Sequence, residues 1–307
     1  MQSEGQPSDA AARWPLIVAS QITWDLSMLR TLVLDSTGVA GQPNTYTLEA
    51  SAQTLDLGRK HLGPVDLVLL AAWLTKPAVR AALTGLDLSG NPLTGGAPGQ
   101  IEEGEVQVDG AVSGGVAELA RSFGKTENLT QINLSDCGLG PSAVAEFGQV
   151  LRECSLRLPA ASLTVDRNPI SGSREQRNEE VVYDTDLGSL AGFLESVAQS
   201  QFVSLSVRSC ELGPKAMEEL AVFVASSPNV QSMVIDDNAI SGSRLDQYGS
   251  LLQTDADIDG LEFLCTAMAS SNLKMVSMQR CHLGPAALLE VAEFTRQSDA
   301  LAKIWLC

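Results

Sequence analysis

Basic residues are scarce in this chain of 307 residues, where 20 lysines and arginines stand against 37 aspartates and glutamates and the formal net charge is −17. Nucleic-acid binding needs clustered basic side chains that neutralise phosphates, and an anionic membrane surface attracts the same kind of cluster. The composition therefore argues against both targets. It favours solubility, and it would speed association with a basic partner.

Long apolar runs are missing as well. The longest, residues 67–74, stops before Lys76-Pro77 and is too short to cross a bilayer. The N-terminal stretch MQSEGQPSDAAARW lacks the basic-then-apolar order of a secretory signal. We therefore expect a soluble, intracellular and cytoplasmic protein with no direct membrane insertion.

Patterns typical of catalysis are absent from the sequence. It contains no HExxH, no phosphate-binding glycine loop and no recognisable Ser-His-Asp arrangement. The two histidines, His61 and His282, each precede a Leu-Gly-Pro triplet and so occupy equivalent positions of a repeated phrase. We predict that the chain is not an enzyme, with no catalytic residue, no cofactor and no metal.

What the chain does have is an internal repeat made of two alternating phrases. One phrase ends in Leu-Gly-Pro and recurs at residues 55–64, 132–141, 205–214 and 276–285; we call it the LGP unit. The other carries asparagine and recurs at residues 86–95, 163–172 and 233–242, with a degenerate copy at 32–41; we call it the Asn unit. The Asn units contain additional segments at 95–112, 171–186 and 241–259, which we call the inserts.

Both units fit the pattern L-x-L-x-x-(N/C)-x-L. Over residues 29–307 the chain resembles a leucine-rich repeat protein of the ribonuclease-inhibitor-like type. The resemblance implies an α/β fold, a right-handed horseshoe solenoid with a parallel sheet on its concave face and helices on its convex face. Residues 1–28 would be an N-terminal segment or divergent cap. Residues 302–307 match the strand of a further Asn unit, so we expect the solenoid to continue beyond residue 307.

Residue chemistry supports the same architecture. Side chains alternate along a strand, so the leucines of L-x-L point into a core and the residue between them points away. Proline suits the first turn of a helix, which predicts helices after Pro64, Pro141, Pro214 and Pro285. Further helices are expected in the Asn units near residues 114–123, 187–199 and 260–270.

The cysteines have a structural interpretation. Cys137, Cys210 and Cys281 occupy the position held by asparagine in the Asn units, where a small side chain can bond backbone groups of the turn. They are not arranged as CxxC pairs, which disfavours zinc. Structural thiols of this kind indicate a reducing compartment.

The inserts are acidic and stand apart from the repeat pattern. All three tyrosines, Tyr46, Tyr183 and Tyr248, follow Asn-type turns, and tyrosine is favoured at protein interfaces. Two interpretations stay open, solvated loops and a binding edge. The run at 255–260 copies the start of a calcium loop, but its twelfth position is Thr266 where calcium needs glutamate. Helix capping by aspartate is the preferred explanation.

The sequence predicts a protein-interaction scaffold that binds a protein partner through its concave face, its acidic inserts, or both. A basic segment is the hypothesised ligand. The candidate binding residues are Asp56, Asp87, Asp166, Arg208, Asp236, Trp305, Tyr183, Tyr248, Glu102 and Glu103. Two alternatives are a structural subunit of a larger complex and a regulator of a small GTPase. The second rests on a resemblance to the repeat domain of the Ran GTPase-activating protein.

Overall fold

A computed structural model describes residues 29–95, 114–154, 160–175, 181–245 and 251–306. Its strands are β1 (Thr31–Asp35), β2 (Thr45–Glu49), β3 (Thr54–Asp56), β4 (Gly85–Asp87), β5 (Gln131–Asn133), β6 (Ala161–Thr164), β7 (Arg174–Glu175), β8 (Val181–Val182), β9 (Phe202–Ser206), β10 (Ser232–Val234), β11 (Arg244–Leu245), β12 (Leu251–Gln253), β13 (Met275–Met278) and β14 (Lys303–Leu306). Its helices are α1 (Pro64–Leu74), α2 (Pro77–Ala82), α3 (Gly114–Phe123), α4 (Pro141–Glu153), α5 (Leu187–Gln199), α6 (Ala216–Ser226), α7 (Asp259–Ala269) and α8 (Pro285–Gln297).

One parallel sheet runs through the described part of the chain. Its eight strands lie in the order β3-β4-β5-β6-β9-β10-β13-β14, which is the order of the repeat phrases in the sequence. The first apolar residue of each phrase pairs with the first of the next. Helices follow the strands and pack against the helices of neighbouring units. Strands and helices therefore alternate in an α/β solenoid, as predicted.

The core lies between the sheet and the helices. Leu55, Leu86, Ile132, Leu163 and Leu205 from successive strands are all buried. Helix residues three positions after the unit's proline cover them, including Leu67, Val144 and Met217, which are 0%, 1% and 0% exposed. Apolar side chains at alternate positions of the strands therefore pack against apolar side chains at every third or fourth position of the helices, in a single layer.

The predicted helices are confirmed with small shifts at their ends. Three of the LGP-unit helices begin at their proline, Pro64, Pro141 and Pro285. The fourth begins at Ala216, two residues after Pro214. The Asn-unit helices α3, α5 and α7 lie where the apolar spacing placed them.

The N-terminal copy of the repeat behaves differently from the prediction. β1 pairs antiparallel with β2, and the two strands form a separate hairpin rather than the first strand of the parallel sheet. A turn tied by two bonds between Ser36 and Asn44 reverses the chain here. The hairpin places Tyr46 and Leu48 in the core. Tyr46 is 3% exposed and its hydroxyl donates to Asp66 at 3.0 Å, so the interpretation of Tyr46 as an interface residue is wrong.

The other end of the sheet matches the prediction. β14 pairs in parallel register with β13, as expected for the strand of an Asn unit. On α8, Leu288 is 44% exposed, although it is equivalent to the fully buried Leu67 and Met217. In those earlier units the helix of the next Asn unit covers this position.

Buried asparagines connect the turns that follow the strands. The Asn168 amide oxygen accepts the N–H groups of Cys137 and Leu139, each at 3.0 Å, from the preceding LGP unit. Its amide nitrogen donates to the carbonyls of Leu134 and Val165, each at 2.8 Å. Asn91 and Asn238 repeat the same bonds. We call this series the turn ladder.

The cysteines complete the turn ladder with weaker bonds. The Cys137, Cys210 and Cys281 thiols each donate to a carbonyl of the preceding Asn unit, at 3.3–3.4 Å. All three are buried free thiols, and burial raises the pKa of Cys137 to about 12. A thiol with so high a pKa stays protonated and unreactive. The structural interpretation of these cysteines is confirmed.

We predict that Asn168→Ala lowers the free energy of unfolding by about 3 kcal/mol, because buried N–H and C=O groups lose their partners. Cys210→Ala should cost about 1 kcal/mol, because it removes one weak donor. Urea unfolding followed by circular dichroism measures both, with the exposed Asn128→Ala as control. Equal losses for Asn168→Ala and Asn128→Ala would contradict the ladder.

Candidate functional site

The open face is the side of the parallel sheet turned away from the helices. Two rows of side chains cross it, because strand side chains alternate and every second residue points away from the core. The first row lies between the two buried apolar residues of each phrase and consists of Asp56, Asp87, Asn133, Thr164, Ser206, Val234, Ser277 and Trp305. The second row follows the second apolar residue and consists of Gly58, Ser89, Ser135, Asp166, Arg208, Asp236 and Gln279. The core uses neither row.

A third row, which we call the turn row, follows directly. It consists of Arg59, Gly90, Asp136, Arg167, Ser209, Asp237 and Arg280, all with φ between +53° and +68°. Residues other than glycine rarely adopt this left-handed conformation. Here backbone bonds between adjacent turns hold it, such as Arg59 N–H to the Ser89 carbonyl and Asp136 N–H to the Asp166 carbonyl, both at 2.8 Å. The turn row thus extends the register of the sheet.

The acidic residues of the open face fall into two groups. Asp56 and Asp87 accept only from a nearby N–H, that of Gly58 at 3.1 Å and that of Ser89 at 2.8 Å. They are register partners on β3 and β4, and Asp56 is exposed. No other group neutralises their charge among the described residues.

Asp166 and Asp236 instead brace neighbouring strands. Asp166 accepts from the Ser206 hydroxyl at 2.6 Å and the Arg208 N–H at 2.9 Å. Asp236 makes the equivalent pair of bonds with the next LGP unit. Burial raises the pKa of the Asp166 carboxyl, and the bonds from Ser206 and Arg208 oppose that shift. These two carboxylates hold the sheet together as well as facing the open side.

One carboxylate of the turn row joins two arginines. Asp237 accepts from Arg208 Nε at 2.7 Å and from the Arg280 guanidinium at 2.7 Å. The bonds to Arg280 and then Arg208 lower the pKa of Asp237 to about 2. Arg208, which the sequence analysis nominated, is therefore already paired.

A cleft of about 230 Å³ opens on the same face, across strands β3 to β9. Its lining includes Arg59, Ser135, Asp136, Arg167 and Arg208. Arg59, Asp136 and Arg167 were missed by the sequence analysis. A signal for them is present in the sequence, because each is the fifth residue of its repeat phrase.

The remaining nominated residues lie elsewhere. Trp305 is at the far end of the first row, with the Lys303 ammonium 4.1 Å from its ring centre. Tyr183 is half-buried against the turn at Gly213 and does not lie on the open face. Glu102, Glu103 and Tyr248 lie outside the described residues, as does most of the first insert. The structure therefore gathers the four aspartates and Arg208 on one surface and separates them from Tyr183.

The second and third inserts are built alike. Each forms a short antiparallel ribbon, β7–β8 and β11–β12, followed by one aspartate with positive φ. Asp184 accepts from the N–H groups of Gly213 and Ala216 at 2.9 and 3.0 Å. Asp255 accepts from Gly284 and Ala286 at 2.8 and 2.9 Å. Each insert thus reaches forward to cap the helix of the next LGP unit.

This contact changes the interpretation of the acidic run at 255–260. The preferred explanation was capping, and Asp255 does cap a helix, but that of the following unit rather than its own. The Asp255 carboxylate is engaged by three N–H groups, including that of Ala287 at 3.2 Å. In the part of the chain that is described, no group of three or more His, Cys, Asp or Glu side chains is arranged to hold a metal ion. No described helix is long and apolar enough to cross a membrane.

Comparison with known proteins supports the repeat assignment. A family model described as Leucine Rich Repeat matches residues 82–103, which include β4 and its Asn unit. The match supports a leucine-rich repeat protein. Such proteins typically act as non-enzymatic scaffolds that bind other proteins, and the match indicates no catalytic family. The ribonuclease-inhibitor-like subtype stays a prediction.

Other comparisons add little. No curated protein matches the sequence. Among solved structures, an internalin from Listeria monocytogenes is 11% identical, with 85% of each chain covered and a TM-score of 0.21. At that TM-score the two chains do not superpose as a whole, so the internalin informs neither fold nor function.

We predict that the Asp237 carboxyl titrates with a pKa of about 2 and that Arg280→Ala moves it toward the ordinary value of 3.8. Because the folded pKa is depressed, the stabilisation by this ion pair is present above about pH 4 and is lost as the pH falls toward 2. Carbon-detected NMR titration of the aspartate side chains measures the shift. An unchanged pKa in Arg280→Ala would contradict the bridge.

We also predict that Asp255→Ala lowers the free energy of unfolding by about 1–2 kcal/mol, because the N-terminus of α8 loses its cap. Asp257→Ala, in the same acidic run but exposed, serves as the control and should have little effect. Calcium should not raise the melting temperature of the wild type, since Asp255 is already engaged. A calcium-dependent rise that Asp255→Ala abolishes would show the capping account to be incomplete.

Proposed function

We propose that this chain is a protein-interaction scaffold and that its open face binds a protein partner. The observation that carries the proposal is the set of three rows in register over successive strands. These side chains are not needed by the core, and the turn ladder fixes their spacing. A surface ordered in advance loses little conformational entropy on binding.

The chemistry of the face favours a partner with a basic segment near β3 and β4. Asp56 and Asp87 are opposite each other in register, and like charges directly opposite on neighbouring strands repel. A lysine or arginine from the partner would relieve that repulsion. The net charge of −17 would further speed the approach of a basic segment.

Asp166, Asp236 and Trp305 extend the proposed surface along the sheet. The inserts, with Tyr183, Tyr248, Glu102 and Glu103, form a second proposed contact edge. In the second and third inserts, capping bonds to the next LGP unit favour a fixed position for that edge, since Asp184 and Asp255 anchor the bases of the two ribbons.

One observation favours a second function, that of a structural subunit in a larger assembly. Leu288 and Leu289 on α8 are 44% and 68% exposed, and β14 is the last strand at one edge of the parallel sheet. Exposed leucines and an edge strand are surfaces that other chains can cover. This surface is separate from Asp56 and Asp87, so substitutions at the two surfaces distinguish the functions.

The test is affinity capture from a cell extract by the full chain, followed by binding measurements with each purified captured protein. We expect the double substitution Asp56→Asn/Asp87→Asn to weaken the binding of a genuine partner about tenfold, through a slower association rate. The association rate of the wild type should also fall as the salt concentration rises. Glu262→Gln/Asp299→Asn removes the same charge from exposed positions away from the open face and should leave binding unchanged.

Hydrogen exchange of the complex then locates the contact. Protection at β3 to β6 supports the open face. Capture that is insensitive to the Asp56 and Asp87 substitutions, with protection at α8 and β14 instead, would overturn it in favour of the structural-subunit function.

A further inference from the structure

The cleft on the open face is lined by more basic than acidic side chains, although the protein as a whole is acidic. Three of the arginines, Arg59, Arg167 and Arg208, line it together with the carboxylates Asp136 and Asp166. The surrounding chain carries a net charge of −17. The fold does not require arginine at these positions, since other positions of the turn row hold glycine and serine, Gly90 and Ser209.

Two of the cleft's charges are already satisfied within the protein. Arg208 pairs with Asp237 at 2.7 Å, and Asp166 accepts from Ser206 and from the Arg208 N–H. Arg59 and Arg167 differ, because both are exposed and no ion pair with either is found among the described residues. The free cations of the cleft are therefore these two.

Gly90 shapes the space between them. It lies in the turn row directly after Arg59, and a Cβ atom built on it would be only 2.8 Å from Arg59 Cγ. The Arg59 side chain thus lies across the backbone of β4's turn, toward Asp136 and Arg167 in the next two turns. A side chain at position 90 would displace it from the cleft.

These groups match one kind of ligand. A guanidinium binds a carboxylate through two parallel N–H bonds. Asp136 lies between the two arginines in the turn row and offers an acceptor for a ligand N–H. A peptide supplies both groups at once, a side-chain carboxylate for the arginines and a backbone N–H for Asp136.

We propose that this cleft binds an acidic side chain from a segment of the protein partner, with Arg59 and Arg167 holding its carboxylate and Asp136 accepting from a backbone N–H beside it. This inference rests on the proposed function, because it assumes that the open face binds a protein partner. It assigns two neighbouring parts of that face opposite preferences, a basic residue at Asp56 and Asp87 in the first row and an acidic residue at the cleft along the turn row.

The probe is a fluorescein-labelled peptide of alternating glutamate and glycine with blocked ends, titrated with the full chain at low salt and followed by anisotropy. We expect the wild type to bind the peptide saturably and the double variant Arg59→Ala/Arg167→Ala to bind it at least tenfold more weakly. Arg121→Ala/Arg152→Ala removes the same charge from helix positions and should bind like the wild type. Gly90→Asn should also weaken binding, because asparagine tolerates the left-handed backbone of position 90 and its side chain displaces Arg59 without changing charge.

Four results would overturn the proposal. They are no binding by the wild type, equal binding by the Arg59 and Arg167 variant, equal loss in the Arg121 and Arg152 control, and stronger competition by inorganic phosphate than by acetate. Melting temperatures confirm that each variant is folded. The double substitution Asp56→Asn/Asp87→Asn should not weaken binding of the glutamate peptide. The peptide assay can therefore fail while the dependence of partner binding on Asp56 and Asp87 still holds, and the peptide assay can succeed where that dependence fails.

Discussion

A buried asparagine side chain that bonds two consecutive turns is the interaction on which the rest of this structure depends. An amide offers an acceptor and two donors, so one residue satisfies N–H groups of the preceding turn and carbonyls of both turns. A cysteine offers one weak donor and satisfies less. The alternation of Asn and LGP units is thus an alternation of strong and weak connections, with every turn tied to its neighbour on each side.

The open face is a consequence of that constraint. Because the turns are fixed to one another, the residue after each strand keeps a left-handed backbone even when it is arginine or aspartate, at a conformational cost that the surrounding bonds offset. The charges of the turn row consequently stand at set intervals along the sheet. Some pair internally, as Asp237 does with Arg280 of the same row and with Arg208 of the second row. Others, Arg59 and Arg167, have no ion-pair partner among the described residues, and this difference gives the face its chemistry.

Repetition made much of the fold predictable. The phrases gave strand order, the helices after Pro64 and Pro141, and the equivalence of cysteine and asparagine, since each follows from periodicity within a unit. The N-terminal hairpin did not follow, because the phrase at 32–41 resembles a repeat and only the pairing of β1 with β2 distinguishes it. The capping bonds of Asp184 and Asp255 were also missed. They join residues about thirty positions apart, and local pattern assigns an aspartate to the helix that follows it directly.

Of the site, the sequence revealed which positions point away from the core but not which charges neutralise each other. Asp166 and Arg208 appeared equivalent to Asp56 as candidates, and contacts between units separate them.

Native-state hydrogen exchange tests the turn ladder most directly. The amides of Cys137, Leu139, Cys210 and Leu212 donate to buried asparagine oxygens, although they lie in turns that would otherwise exchange readily. The account predicts that these amides exchange as slowly as those of the central strands, through the same cooperative opening. Exchange at the rate of exposed loop amides, with the strands still protected, would contradict it.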